Sequence, residues 1–200
     1  MPSLSDPSGD ADALTLTCAD VCSELWPVHR LDRTVGGLMV FAKNKKAAAE
    51  LSSEVGGRGM KKEYFAVAEG TPEGGIYEDY IYRDARISKA FAVKSERRGA
   101  KHAYLECSPI RTVQTERGPR TLVRVLLHTG RYHQIRVQLA SRATPIVGDG
   151  KYGSHDNRAK YPALFSARLA FTLGGEQIKA KANPDLGEYP WSLFSEEDYE

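Results

Sequence analysis

The chain has 200 residues, 41% of them hydrophobic, enough for one well-packed core and short of what two full domains need. No run approaches the roughly 20 uncharged apolar residues of a membrane span, and the polar, acidic start lacks the basic-then-apolar pattern of a signal peptide, so a cytoplasmic protein is expected. Three cysteines, Cys18, Cys22 and Cys107, are odd in number and lack disulfide spacing, which agrees with free thiols in a reducing compartment.

The formal net charge of +2 hides a strong asymmetry. Residues 1–24 carry five acids and residues 183–200 six, with no Lys or Arg in either stretch. The middle therefore holds all 28 Lys and Arg against 15 acids, a formal charge of +13. Such a body suits a polyanion, because each phosphate met by Lys or Arg releases counterions and the field steers encounter.

In chain order, residues 1–26 read as an irregular acidic lead-in, Ser-, Pro-, Gly- and Asp-rich at its start. Leu38 to Lys43 reads as a strand. Asn44 then caps a helix with apolar Ala47, Ala48, Leu51 and Val55, which Gly56-Gly57 stops. Glu63 to Glu69 is a second strand, whose alternation sets Tyr64, Ala66 and Ala68 opposite Phe65 and Val67. Further strands are expected at Ala103 to Cys107, Thr121 to Leu127 and Arg168 to Leu173. A helix is expected from Gln134 to Ala143, closed by Pro145. The sum is an α+β (mixed α/β) domain over residues 27–182, a mostly antiparallel sheet flanked by helices and loops, followed by an acidic tail, 183–200.

Two polar clusters stand out. His29-Arg30-Leu31-Asp32 follows Pro27 and precedes a turn, where a scaffold can present an acidic side chain. Leu127 to Arg136 packs two His, two Arg and a Gln into a strand-to-helix junction. Gly148 to Gly153 fits a G-x-G-x-x-G string, yet no helix follows to receive a pyrophosphate, so a dinucleotide site is rejected.

Five segments in order carry a resemblance: His29 to Gly37 with the strand after it, Lys62-Glu-Tyr64, Thr129 to Arg136, Pro145 to Asp149 with Tyr152-Gly153, and Leu164 to Phe171. Together they resemble RluA-type pseudouridine synthases, RNA uridine isomerases, in a short form without an N-terminal RNA-binding module. The resemblance implies Asp32 as the catalytic aspartate, Arg136 as its paired arginine and Tyr64 against the target base. It implies Leu164 beneath the pocket, Arg30 in the gap left by a flipped nucleotide, and Arg131, His133 and Gln134 as further substrate-binding residues. Ribosomal or transfer RNA is the implied partner, with no membrane, metal or cofactor, and a monomer is expected.

Family members also normally begin with a strand that is missing here; its loss would expose a sheet edge, so either a shortened start or a compensated edge is expected. Gly36, Tyr132 and Phe165 replace the family's usual serine, threonine and histidine. Taken singly, Asp32 reads as a turn or N-cap carboxylate and Arg136 as a helix-surface charge; the order of the motifs overrides that. His29, His128 and His133 read as loop-orienting hydrogen bonders, and a zinc site from Cys18, Cys22 and His29 lacks a fourth partner. The rival reading on the same fold is a catalytically idle RNA-binding or assembly factor. A hydrolase or nuclease built on His128, His133 and Asp149 has no nucleophile elbow or metal spacing to support it.

Overall fold

The computed structural model describes residues 25–57 and 59–200; Cys18, Cys22 and most of the acidic lead-in lie outside them. Among the described residues, ten strands run as β1 Trp26–Pro27, β2 Gly36–Gly37, β3 Phe41–Ala42, β4 Lys61–Glu69, β5 Gly75–Asp84, β6 Lys89–Val93, β7 Ala100–Thr115, β8 Gly118–Leu127, β9 Leu164–Leu173 and β10 Glu176–Lys181. The α-helices α1 Lys45–Gly56 and α2 Gln134–Ala140 accompany them.

Eight strands form one sheet in the order β10-β9-β4-β8-β7-β5-β6, with β2 added to β9. All pairings are antiparallel except β2 on β9, where Gly36 and Gly37 register with Phe165 and Ser166. This is the α+β class the sequence implies. Strand β4 lies inside it, between β8 and β9, and residues 64–68 are buried without a break. A strand covered on both faces needs no polar side, so the two faces read from alternation are both core.

The strand expected over Leu38 to Lys43 shortens to Phe41–Ala42, paired with Trp26–Pro27. Its first residues give their amides elsewhere: Leu38 N–H donates to Ser166 O at 2.8 Å and Val40 N–H to His29 Nε2 at 2.9 Å. Helix α1 begins where Asn44 predicts, its side chain accepting from Ala47 N–H at 2.8 Å. Leu51 anchors it in a small core with Ala42, Met60 and Phe171. Helix α2 is shorter than expected and ends at Ala140 in a turn.

The main core gathers Phe65, Val67, Leu105, Leu122, Val123, Val125 and Leu139 from the sheet and α2. It also takes Trp191, Phe194 and Tyr199 from the acidic segment at residues 183–200. Tyr199 meets Phe65 edge-on with ring centroids 5.2 Å apart, and its hydroxyl donates to Trp191 O at 2.8 Å. Burying three aromatic side chains contributes roughly 1.5–3 kcal/mol each, which outweighs the solvent preference of the neighbouring carboxylates. The last strand, β10, is exposed along its whole length and carries Lys179 and Lys181, a charged edge that resists pairing with another chain.

Candidate active site

Asp32 sits on the loop before β2, where Val35 N–H donates to Asp32 O at 2.9 Å and closes a turn. The pairing of β2 with β9 then ties that turn to the sheet. Gly37 is required here: its φ is +112°, and a Cβ would fall 2.3 Å from Ser166 O.

From the other side, α2 presents Arg136. Its Nη1 donates to Asp32 Oδ2 at 3.2 Å, while Nε and Nη2 donate to the two oxygens of Asp149 at 2.7 and 2.8 Å. Asp149 is 1% exposed, so this fork holds the guanidinium plane in place. Asp149 reaches it because Gly148 bends at φ +79° against the Tyr161 carbonyl, where a Cβ would lie 2.4 Å from the oxygen. Gly148 of the glycine string thus serves close packing, and the string continues as a 3₁₀ turn, Gly150–Tyr152, instead of a nucleotide-binding helix.

Burial pushes the Asp32 carboxyl above its ordinary value, and the Arg136 charge and hydrogen bond offset only part of this. The sequence alone suggests a simpler balance, in which arginine keeps aspartate ionised. Arg136 is shared, and Asp149 itself raises Asp32 further.

His133 opens α2 in the left-handed region, φ 53°, and is 9% exposed. Its Nδ1 lies 2.9 Å from the Tyr152 hydroxyl, which accepts from Ala90 N–H at 2.8 Å. A phenol holding one donor gives its own proton to Nδ1, leaving Nε2–H to face Asp32 Oδ2 at 3.8 Å. Burial, with Arg136 adding to it, lowers His133 to about 3, so the ring is neutral. His29 is likewise held near 4 by burial and Lys62, and its Nε2 is an acceptor for Val40.

Tyr64 lies on β4 beside a bulge: Glu63 registers with Arg168 but Tyr64 with Ser166, so Ala167 is the extra residue. Such a kink re-aims the side chain next to it. Burial lifts the Tyr64 phenol to about 12, with Asp32 adding to the effect, so it stays a neutral, flat surface at physiological pH.

Every site residue expected from the sequence lines one cavity of about 630 Å³: Arg30, Asp32, Tyr64, Arg131, His133, Gln134, Arg136 and Leu164. They do not stand in it alike. Gln134 is 3% exposed, and its amide organises the loop before α2: Oε1 accepts from Thr129 Oγ1 and Arg131 N–H, and Nε2 donates to Tyr104 O. Arg131 donates Nε–H to His102 O at 2.7 Å, and Arg30 is exposed at the cavity wall. Sequence reasoning missed the roles of Asp149, Tyr152 and Lys62, each of which stands inside a motif it used; the signal was present, but partners far apart in sequence give it meaning.

Comparison with known proteins decides the family. The RNA pseudouridylate synthase family model matches residues 19–141, more than half of the sequence. The chain belongs to this family. A Chloroflexus aurantiacus protein, an uncharacterized RNA pseudouridine synthase, is 41% identical over 127 residues; the match takes in 63% of this chain and 38% of that protein. The tRNA pseudouridine synthase C of Pasteurella multocida is 30% identical over 203 residues, covering 86% of this chain and 80% of that one. The ribosomal large subunit pseudouridine synthase D of Haemophilus ducreyi is 35% identical, with 66% and 39% covered. The structure of human RNA pseudouridylate synthase domain containing 1 shares the fold, with a TM-score of 0.77 at 22% identity over 88% of this chain and 74% of its own. The RluA-type resemblance read from five ordered motifs is borne out; four of those motifs line one cavity, and the fifth supplies Asp149, which holds Arg136.

Proposed function

We propose that this chain isomerises uridine to pseudouridine in ribosomal or transfer RNA, with Asp32 as the catalytic group. The observation that carries this reading is the meeting of Asp32, Arg136, Tyr64 and Leu164 in one cavity of about 630 Å³, large enough for a nucleoside. The reaction breaks the bond between N1 and C1′, turns the base, joins C5 to C1′ and moves a proton from C5 to solvent while N1 gains one; no group enters or leaves. Asp32 acts at the base or at the sugar. Arg136 orients and charges it, and Tyr64 offers a neutral platform on which a base stacks, worth about 1–3 kcal/mol.

A stacked uridine cannot reach a carboxylate that is 22% exposed at its side chain, so the nucleotide must flip out, at a cost of a few kcal/mol. Arg30, exposed at the rim, is suited to fill the gap it leaves. The names of two relatives, one for tRNA and one for the large ribosomal subunit, support those RNA classes as substrates.

The test is tritium release from ribosomal and transfer RNA labelled at uridine C5. Release by the wild type and none by Asp32→Ala is expected. No release on either RNA, or equal release by the variant, overturns the reading. An Asp32→Ala variant that complements a gene deletion as well as wild type would favour the idle RNA-binding factor.

A further inference from the structure

Among the described residues, five cations and one carboxylate line the cavity, and they are not equally matched. Arg136 has Asp32 and Asp149. Arg30 and Arg83 are exposed, and Arg131 is half-buried on a backbone carbonyl. Lys62 differs from all of these. It is 8% exposed, lines the cavity, and among the described residues has neither an ion pair nor a hydrogen bond. Burial is what lowers its ammonium pKa, with no carboxylate among the described residues acting against it. An unpaired ammonium withdrawn from water is unfavourable in the empty protein, and a site keeps one where an anion arrives with the ligand.

Its place says which anion. Lys62 and Tyr64 are two apart on β4, on one face and roughly 7 Å apart along the strand. Lys62 acts on His29 and lies against Gly130, where a Cβ would sit 3.8 Å from Nζ. Among the described residues, the charges named on Asp32 are those of Arg136, Arg30 and Asp149. Lys62 thus shares the cavity wall with Tyr64, His29 and Gly130. A base on Tyr64 with its sugar toward Asp32 leaves the sugar-phosphate chain as the anionic part of the ligand.

We infer that Lys62 seats a phosphodiester adjoining the nucleotide held in the cavity. The inference rests on the uridine reading of that cavity. The seat fixes the depth and direction in which a flipped nucleotide enters, and it does so through charge, without reading the base.

The test couples protein and RNA changes. The probe is a short RNA stem-loop with a single loop uridine, carrying either natural linkages or a neutral methylphosphonate on the 5′ or 3′ side of that uridine. Wild type should lose about tenfold or more in affinity with one of the two neutral linkages, as expected for a charged hydrogen bond. Lys62→Met should bind the natural RNA about tenfold more weakly and be indifferent to that linkage, while Lys62→Arg keeps the sensitivity. Equal losses in wild type and Lys62→Met, or a wild type indifferent to both linkages, overturn the inference. Should Lys62→Met not fold, the ¹⁵Nζ resonance of Lys62 in the wild type decides: it should move with uridine 5′- or 3′-monophosphate and not with uridine, and no movement with either nucleotide overturns the inference. Tritium release is followed on the same wild-type preparation. Its absence there, with the linkage effect intact, would strike the isomerase reading and leave the phosphate seat standing.

Discussion

Arg136 grips Asp149 with two nitrogens, at 2.7 and 2.8 Å, and reaches Asp32 with only the third, at 3.2 Å. The buried carboxylate sets the plane of the guanidinium, and that plane sets where Asp32 stands. A lysine has one nitrogen and cannot serve both. Arg136→Lys should therefore lower kcat/KM by about 100-fold, and Asp149→Asn by about 10- to 100-fold with most of the effect in kcat, since it orients a partner without touching RNA. Steady-state kinetics on tritiated RNA checks both; a change confined to KM in Asp149→Asn would contradict it.

Asp32 is held against its own preference. Its carboxyl is raised by burial, so the ionised form lowers stability once the pH exceeds its ordinary range near 3.9. Asp32→Asn removes that charge and leaves Arg136 on Asp149. The variant should be inactive yet melt at or above the wild-type temperature at pH 7, a trade of stability for function. A lower melting temperature would show that the Arg136 contact outweighs desolvation.

His29 and His133 are kept neutral, near pKa values of about 4 and about 3. A histidine lowered in the folded state leaves the unfolded chain binding the extra proton, so stability falls as the pH drops from about 6.5 toward 4. Urea midpoints at pH 7.5 and pH 5 should differ, and His29→Asn, whose amide oxygen can still accept from Val40, should narrow the gap. The same two residues should give no titration in the activity profile between pH 6 and 8; an activity limb centred near 6.5 that disappears in His133→Asn would refute this.

Two adjacent glycines should respond in opposite ways. A Cβ at Gly36 meets only the Phe165 ring, at 3.5 Å, whereas at Gly37 it would overlap the Ser166 backbone. Gly36→Ser should change stability by less than about 1 kcal/mol and keep activity. Gly37→Ala should cost about 3 kcal/mol or more, and lose activity with it, because β2 ties the Asp32 turn to the sheet. Chemical denaturation of the two variants side by side is the measurement.

Much of this was open to reading in the chain. Asn44 and Gly56-Gly57 mark α1 because caps and glycine stops act locally. The eight expected site residues stand in short ordered motifs, and all eight line one cavity. What escaped has a common cause. Strands β5, β6 and β10 mix charge with apolar residues at the sheet margin, where half-exposed surfaces blur periodicity. Trp191, Phe194 and Tyr199 lie among six acids, and composition speaks for the acids while packing follows the rings.

The sequence by itself determined the family, the residue types of the site and the basic body that suits RNA, because these depend on local motifs and on charge. Tertiary structure decided how they are used. Only the fold brings Asp149 to Arg136 and turns Gln134 back onto its own loop. Only the fold buries Lys62 at the cavity without an ion pair among the described residues. The strength and sign of an electrostatic interaction depend on burial and on partners distant in the chain, and neither is fixed until the sheet has formed.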